Sequence, residues 1–242
     1  MAKFLIVQAR PEKLAAENEL EAFLKFSGLS RAEVEVINAS LGQRCSLKDL
    51  SKYSGIILGG GPLCVNKQEK TKEESELESF LLALLEIVKE KDIPFLGACL
   101  GIGILGKSAG CKISNKFGED VGEVKITLTE EGQKDDILAG VPSEFSAFVG
   151  HKEACEELSE GAVLLASSKN CPIQMFKIKN NIYASQFHPE LDHEGLCLRI
   201  NIYKDYGYFD PEEAKKLMER NKDAKIVHPF KILKNFVKKY KK

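Results

Sequence analysis

A chain of 242 residues that is 43% hydrophobic and 29% charged holds enough apolar side chain to bury one sizeable core. Its net charge of −1 sets up no overall field toward nucleic acid, and no apolar run approaches the roughly 18 residues that span a bilayer. Seven scattered cysteines, Cys45, Cys64, Cys99, Cys111, Cys155, Cys171 and Cys197, are odd in number, and the chain is too long to need staples. Free thiols in a reducing cytoplasm are therefore expected.

MAKFLIVQAR is too short an apolar run for a signal peptide, and residues 3–8 (KFLIVQ) read as a first strand. Pro11 opens a helical pattern with Leu14, Leu20, Phe23 and Leu24 on one side, stopped near Gly28. EVEVIN (33–38) alternates as a second strand. GIIL (55–58) is a third, running into Gly59-Gly60-Gly61-Pro62. Thr71 and Glu74 form a capping box ahead of a long helix whose apolar stripe is Leu77, Phe80, Leu81, Leu84, Leu85 and Val88.

A fourth strand (93–98) leads into PFLGACLGIGILGKS (94–108). Strands alternating with helices predict an α/β fold with a mostly parallel central sheet and helices on both faces. The pattern then changes. EVKITL, FSAFVG, AVLLAS, IQMFKI and IYASQF follow one another with short polar connections, which predicts an antiparallel or mixed extension of that sheet. Helix returns from Glu194, with Pro211 and Pro229 each starting a new one. A single domain over 1–242, with a helical extension from about 194, is expected. In FKILKNFVKKYKK, Ile232, Leu233, Phe236, Val237 and Tyr240 share one face and lysines the other. This predicts a docked amphipathic helix, with a membrane or RNA contact as the alternative.

Three patterns overlap in residues 97–108. Gly101 to Ser108 fits the phosphate loop G-x-x-x-x-G-K-[ST], with Lys107 and Ser108 placed for phosphate and magnesium. Its intervening residues, Ile102, Ile104 and Leu105, are bulky and apolar, and Cys99-Leu100 separates the strand from the first glycine. Gly101, Gly103 and Gly106 fit the dinucleotide fingerprint, but Glu119 and Asp120, at the distance where an acidic strand end is needed, lie in NKFGEDVG. Small residues that let a helix approach a sheet explain these glycines more simply.

Gly97-Ala98-Cys99-Leu100-Gly101 is a nucleophile elbow with cysteine in place of serine. Such a turn lifts the nucleophile above the sheet, and the helix N-terminus behind it favours negative charge on sulfur. A base comes from Gln186-Phe187-His188-Pro189-Glu190 at another strand end. His188 and Glu190 are two apart in extended chain, so the carboxylate can orient the imidazole. Gly59, Gly60 and Gly61 offer backbone N–H groups for an oxyanion hole.

LGGGPLCVN, PFLGACLG and SQFHPELD, in this order, resemble the oxyanion loop, elbow and His–Glu pair of class I (triad) glutamine amidotransferases. The resemblance continues through VGHKEACEEL, GAVLLASS and CPIQMF to about residue 210. It is nearest to stand-alone, GMP-synthase-like members. It implies a three-layer, flavodoxin-like fold; Cys99 as nucleophile, His188 as general base and acid, and Glu190 as orienting carboxylate. It also implies oxyanion donors at Leu100 and within Gly59 to Gly61, with Gly60 and Gly61 the expected pair, and Gly59 beside the substrate. The substrate would be L-glutamine or a γ-glutamyl amide, with no cofactor and no metal. A synthetase or acceptor-binding partner and a homodimer stay open, and neither nucleic acid nor membrane is expected as a partner. The family's elbow usually carries a glutamine four places after the cysteine to hold substrate. Here that place is Gly103, a gap that would weaken glutamine binding and leaves a γ-glutamyl peptidase as an alternative. A catalytically silent, partner-dependent protein is the non-enzymatic alternative, opposed by the intact set of three groups.

His151, in GHKEA, is a candidate for contacting the acceptor or for a surface or capping role. His188, His193 and Cys197 do not make a convincing zinc set without a second cysteine pair. Cys64 and Cys171 are expected near the site but inert, and His228 as the end of a loop.

Overall fold

The computed structural model describes residues 2–242. In chain order the elements are β1 (Phe4–Gln8), α1 (Lys13–Ser27), β2 (Val34–Asn38), β3 (Gly55–Leu58), α2 (Lys72–Lys91), β4 (Phe95–Ala98), α3 (Leu100–Ala109), β5 (Lys112–Ser114), β6 (Glu119–Leu128), α4 (Glu130–Lys134), β7 (Glu144–His151), β8 (Ala154–Glu157), β9 (Ala162–Ser168), β10 (Met175–Ile178), β11 (Ile182–Ser185), α5 (His193–Tyr203), α6 (Ala214–Arg220) and α7 (His228–Tyr240). Nine strands form one sheet in the order β2-β1-β3-β4-β11-β10-β9-β6-β7. Its first five strands pair in parallel and the remaining pairings are antiparallel, which is the mixed extension that the strand run after residue 119 predicts. β1, β3, β4 and β11 are buried along their whole lengths, as strands covered on both faces must be.

Helices cover both faces. On one, α2 lays Leu77, Leu81, Leu84, Leu85 and Val88 against the sheet beside α3. Its start is fixed by the expected capping box: Thr71 Oγ1 accepts from Glu74 N–H, and the Glu74 carboxylate accepts from Thr71 N–H. On the other face, α1 and α7 pack over Phe4, Ile6, Ile57 and Leu96. Ile232, Leu233, Phe236 and Val237 of α7 are buried there, so the apolar face that could have met a membrane is covered by the protein itself.

Two details differ from the sequence reading. α1 buries Ala15, Ala16, Glu19 and Phe23, whereas Leu14 is 62% exposed. The reason is Glu19: its carboxylate is committed to Arg10 and Gly60, and this sets the rotation of the helix about its axis. A two-stranded ribbon of β5 and β8 also forms beneath α3, too short to give an alternating pattern.

Candidate active site

β4 ends at Ala98, and Cys99 turns to φ 52°, ψ −94° before α3 begins at Leu100. A non-glycine residue in such a region costs about 1–3 kcal/mol. The surrounding structure imposes it: Cys99 N–H donates to Ser185 O of β11 at 2.8 Å, and Ile102 N–H donates to Cys99 O at 3.0 Å. The turn is passable because Gly97 and Gly101 touch backbone to backbone, where a Cβ on Gly97 would stand 2.9 Å from the Gly101 Cα. Gly101 to Ser108 is continuous α-helix whose N–H groups beyond the first turn are used internally, so it is no phosphate-cradling loop. Lys107 pairs with Glu78 at 3.0 Å and Ser108 Oγ bonds Glu86 at 2.9 Å, both at the surface.

The neighbouring parallel strand, β11, delivers the second group. His188 N–H donates to Phe148 O at 3.0 Å, and Gln186 N–H to Gln174 O at 2.8 Å. These bonds steer the chain off the strand end. His188 Nδ1 then lies 2.9 Å from Glu190 Oε1, and the Glu190 side chain is fully buried. Burial alone would push the His188 imidazole down. The charges of Glu190 and of Cys99, which is within hydrogen-bonding reach, outweigh it and hold the group up at about 9. For Glu190, burial opposes ionisation, but His188 and Arg199 together hold the carboxyl far below its usual range.

Arg199 has no counterpart in the sequence reading. Its Nη1 donates to Glu190 Oε1 at 2.8 Å and lies 3.2 Å from His188 Nδ1. The available signal was an arginine within the buried stripe of α5, in register with Leu196, Ile200 and Tyr203.

The glycine loop divides its amides. Gly59 N–H donates to Val7 O at 3.0 Å, and a Cβ there would run into the Glu19 carboxylate at 2.3 Å, so this residue faces away from the cavity. Gly60 N–H, expected to serve an oxyanion hole, instead donates to Glu19 Oε1 at 3.1 Å; that oxygen also accepts from Arg10 Nε at 2.7 Å. Gly61 and Leu100 are the loop and helix amides with no acceptor among the described residues. Both line a cavity with Cys99, Gly103, Glu153 and Gln186. A second cavity, lined by Arg10, His188, Leu191, Arg199, Tyr203 and Phe209, meets the first at Cys99. Tyr208 lines both.

Gly103 is not beside an empty gap: a Cβ on it would stand 2.6 Å from Val65 Cγ2. Val65 is held there because Glu153 accepts from the N–H groups of Val65 and Asn66 at 2.6 and 2.8 Å. His151 reaches the cavity wall, yet both ring nitrogens are taken up inside the protein, Nδ1 by Glu153 O and Nε2 by Glu119 Oε2, each at 3.0 Å. It fixes the turn that carries Glu153. Cys64 lines the cavity with Cys99, and burial pushes its thiol up; the Cys171 thiol is pushed up to about 12. His193 lies 3.4 Å from Cys197 Sγ, apart from the His188–Glu190 pair, and His228 begins α7. No helix among the described residues is long and apolar enough to cross a membrane.

Residues 20–196 match the family model for glutamine amidotransferase class-I. The chain is 35% identical over 161 residues to the glutamine-hydrolyzing subunit of GMP synthase from Methanococcus maripaludis, covering 65% of this chain and 76% of that one. It is 34% identical over 143 residues to the protein of the same name from Thermococcus kodakarensis, covering 59% and 69%. Among solved structures, a glutamine amidotransferase from Thermotoga maritima shares the fold, with a TM-score of 0.78 at 20% identity over the full length of both chains. With a family match over most of its length and relatives a third identical to it, the chain belongs to the class I glutamine amidotransferases.

Proposed function

We propose that the enzyme releases ammonia from the side-chain amide of glutamine through a γ-glutamyl thioester on Cys99. The observation that carries this reading is the meeting of Cys99 with the His188–Glu190 pair at the ends of two adjacent parallel strands, β4 and β11. Cys99 Sγ attacks the amide carbon as its proton passes to His188. His188 then gives that proton to the nitrogen, and ammonia leaves as the carbon–nitrogen bond breaks. Water, losing a proton to His188, attacks the thioester; glutamate departs and the thiol is restored. Glu190 holds the imidazole in the tautomer that leaves its other nitrogen free for the sulfur proton. The N–H groups of Leu100 and Gly61, unused elsewhere among the described residues, suit the oxyanion of each tetrahedral intermediate.

The relatives, each named as one glutamine-hydrolyzing component of GMP synthase, support an arrangement in which the ammonia aminates an acceptor held by a separate synthetase protein. Glutamate release from free glutamine by the purified protein, abolished in Cys99→Ala, tests the reading; equal release by Cys99→Ala overturns it. A second reading, with γ-glutamyl peptides as substrate, rests on Gly103, where no side-chain amide can reach the substrate. Cleavage of γ-glutamyl dipeptides with no release from glutamine would favour it.

A further inference from the structure

We infer that Arg199 is a positioning residue for this site: it fixes Glu190 and sets a permanent positive charge beside the His188 imidazole, so that the imidazole yields its proton more readily to the leaving nitrogen. The inference rests on the roles given above to Cys99, His188 and Glu190. Arg199 lies just beyond the segment that matches the family model, on a helix packed under the site.

The geometry is unlike that of a guanidinium placed for stability. A structural arginine–carboxylate pair is commonly two-pronged and uses both oxygens. Here a single nitrogen, Nη1, reaches Glu190, and it shares Oε1 with His188 Nδ1. Glu190 Oε2 and Arg199 Nε and Nη2 are buried without a hydrogen-bond partner among the described residues. Leaving those atoms unpaired costs folding free energy. What the arrangement supplies is a cation 3.2 Å from Nδ1. When Nδ1 carries its proton, two donors converge on one oxygen, and the imidazolium gains less from Glu190 than it would from an unshared carboxylate. A neutral imidazole has no such competition with a charged neighbour. Arg199 thus moderates a pair that would otherwise hold the proton too firmly for transfer to nitrogen.

Other charges face His188 as well. Cys99 adjoins it from the elbow, and Tyr208 lines the same cavity. Across Gly60, a Cβ would lie 2.9 Å from His188 Cε1 and 2.6 Å from Arg10 Nη2. The Arg10 charge is offset by Glu19, and its Nη1 is bonded to Tyr203. Among the described residues Arg199 has Glu190 alone as its anion, so its removal is the change that His188 should register.

The test compares glutamine hydrolysis by wild type, Arg199→Gln and Arg199→Lys across pH. Arg199→Gln keeps a donor and loses the charge. Its kcat should fall about tenfold with KM within about twofold, and the alkaline limb of kcat should move up by about one pH unit. Arg199→Lys keeps the charge, and its alkaline limb should stay at the wild-type position. An unmoved limb in folded Arg199→Gln, or a limb in Arg199→Lys displaced by about one unit, would overturn the inference. Should Arg199→Gln not fold, the limb of Arg199→Lys decides alone in the same sense. Failure of the underlying roles has a different signature, because hydrolysis would then survive Cys99→Ala whatever stands at 199.

Discussion

The amide of Gly60 and the buried carboxylate of Glu19 meet at 3.1 Å although they lie 41 residues apart in the chain. The same carboxylate oxygen receives Arg10 Nε, so one acidic side chain of α1 ties β1 to the glycine loop beyond β3. The loop's orientation, and with it the direction of the Gly61 amide, depends on this anchor. Glu19→Leu removes one partner of a buried pair and leaves Arg10 uncompensated, so a loss of about 3–5 kcal/mol is expected in denaturant unfolding. Glu19→Gln retains a hydrogen-bond acceptor. It should stay folded and lose more kcat than substrate affinity, because a misdirected oxyanion donor is felt in the transition state. Unchanged kcat in folded Glu19→Gln would detach this anchor from catalysis.

At Gly103 the expectation from sequence reverses. With Val65 Cγ2 already 2.6 Å from the place of a Cβ, a glutamine introduced there overpacks the wall of the cavity and does not fill a gap. Overpacking of this kind costs about 1–3 kcal/mol. Gly103→Gln should therefore lower the thermal midpoint without lowering KM for glutamine. The double variant Val65→Ala with Gly103→Gln should recover part of the lost stability. A lower KM in the single variant would show that Val65 yields.

His188 and Glu190 should differ in weight. General acid–base catalysis contributes about 10²–10⁴-fold, so His188→Asn should lose activity on that scale. Glu190→Gln retains a polar group against Nδ1 and should keep measurable turnover. A glutamine-like electrophile should add once, at Cys99, and leave the other six cysteines unlabelled. A larger loss in Glu190→Gln than in His188→Asn would contradict the division of roles.

The His188 imidazole, held up at about 9 from an ordinary 6.5, links stability to pH. The protonated form is favoured by folding, so the contribution is fully present below pH 6.5 and is lost as pH rises through 9. Glu190, held down, acts in the opposite direction, and its contribution is lost at strongly acid pH. Thermal midpoints of wild type and His188→Asn, measured from about pH 6 to about pH 10, should converge toward the alkaline end. A difference that stays constant across that range would rule out this linkage.

Much of this was legible in the chain. Strands β1, β3 and β4 are short uninterrupted apolar runs, and the elbow and the His188–Glu190 spacing are local patterns that read directly. What escaped were relations made only by tertiary packing. The diversion of the Gly60 amide requires Glu19, which looks from sequence like an ordinary exposed residue of an amphipathic helix. Val65 filling the space at Gly103 requires Glu153, from the far side of the sheet extension, to pin it. Arg199 is one charge among many until α5 is seen to bury it against Glu190. Each is a long-range polar contact, and hydrophobic periodicity carries no record of such contacts.

Ser185 of β11 stands in register with Ala98 of β4, the last residue before Cys99. The distance between nucleophile and base is therefore fixed by one strand-to-strand spacing in the middle of the sheet, about 4.8 Å, and not by the length of chain that separates them. Every residue between α3 and β11 could be lengthened or trimmed at its turns without entering that distance. The exposed hairpin tip at Gly161 is the natural place to do so. A reporter peptide or a small domain spliced in there should be carried as cargo by a working catalyst, which makes this turn a handle for tethering the enzyme to whatever consumes its ammonia.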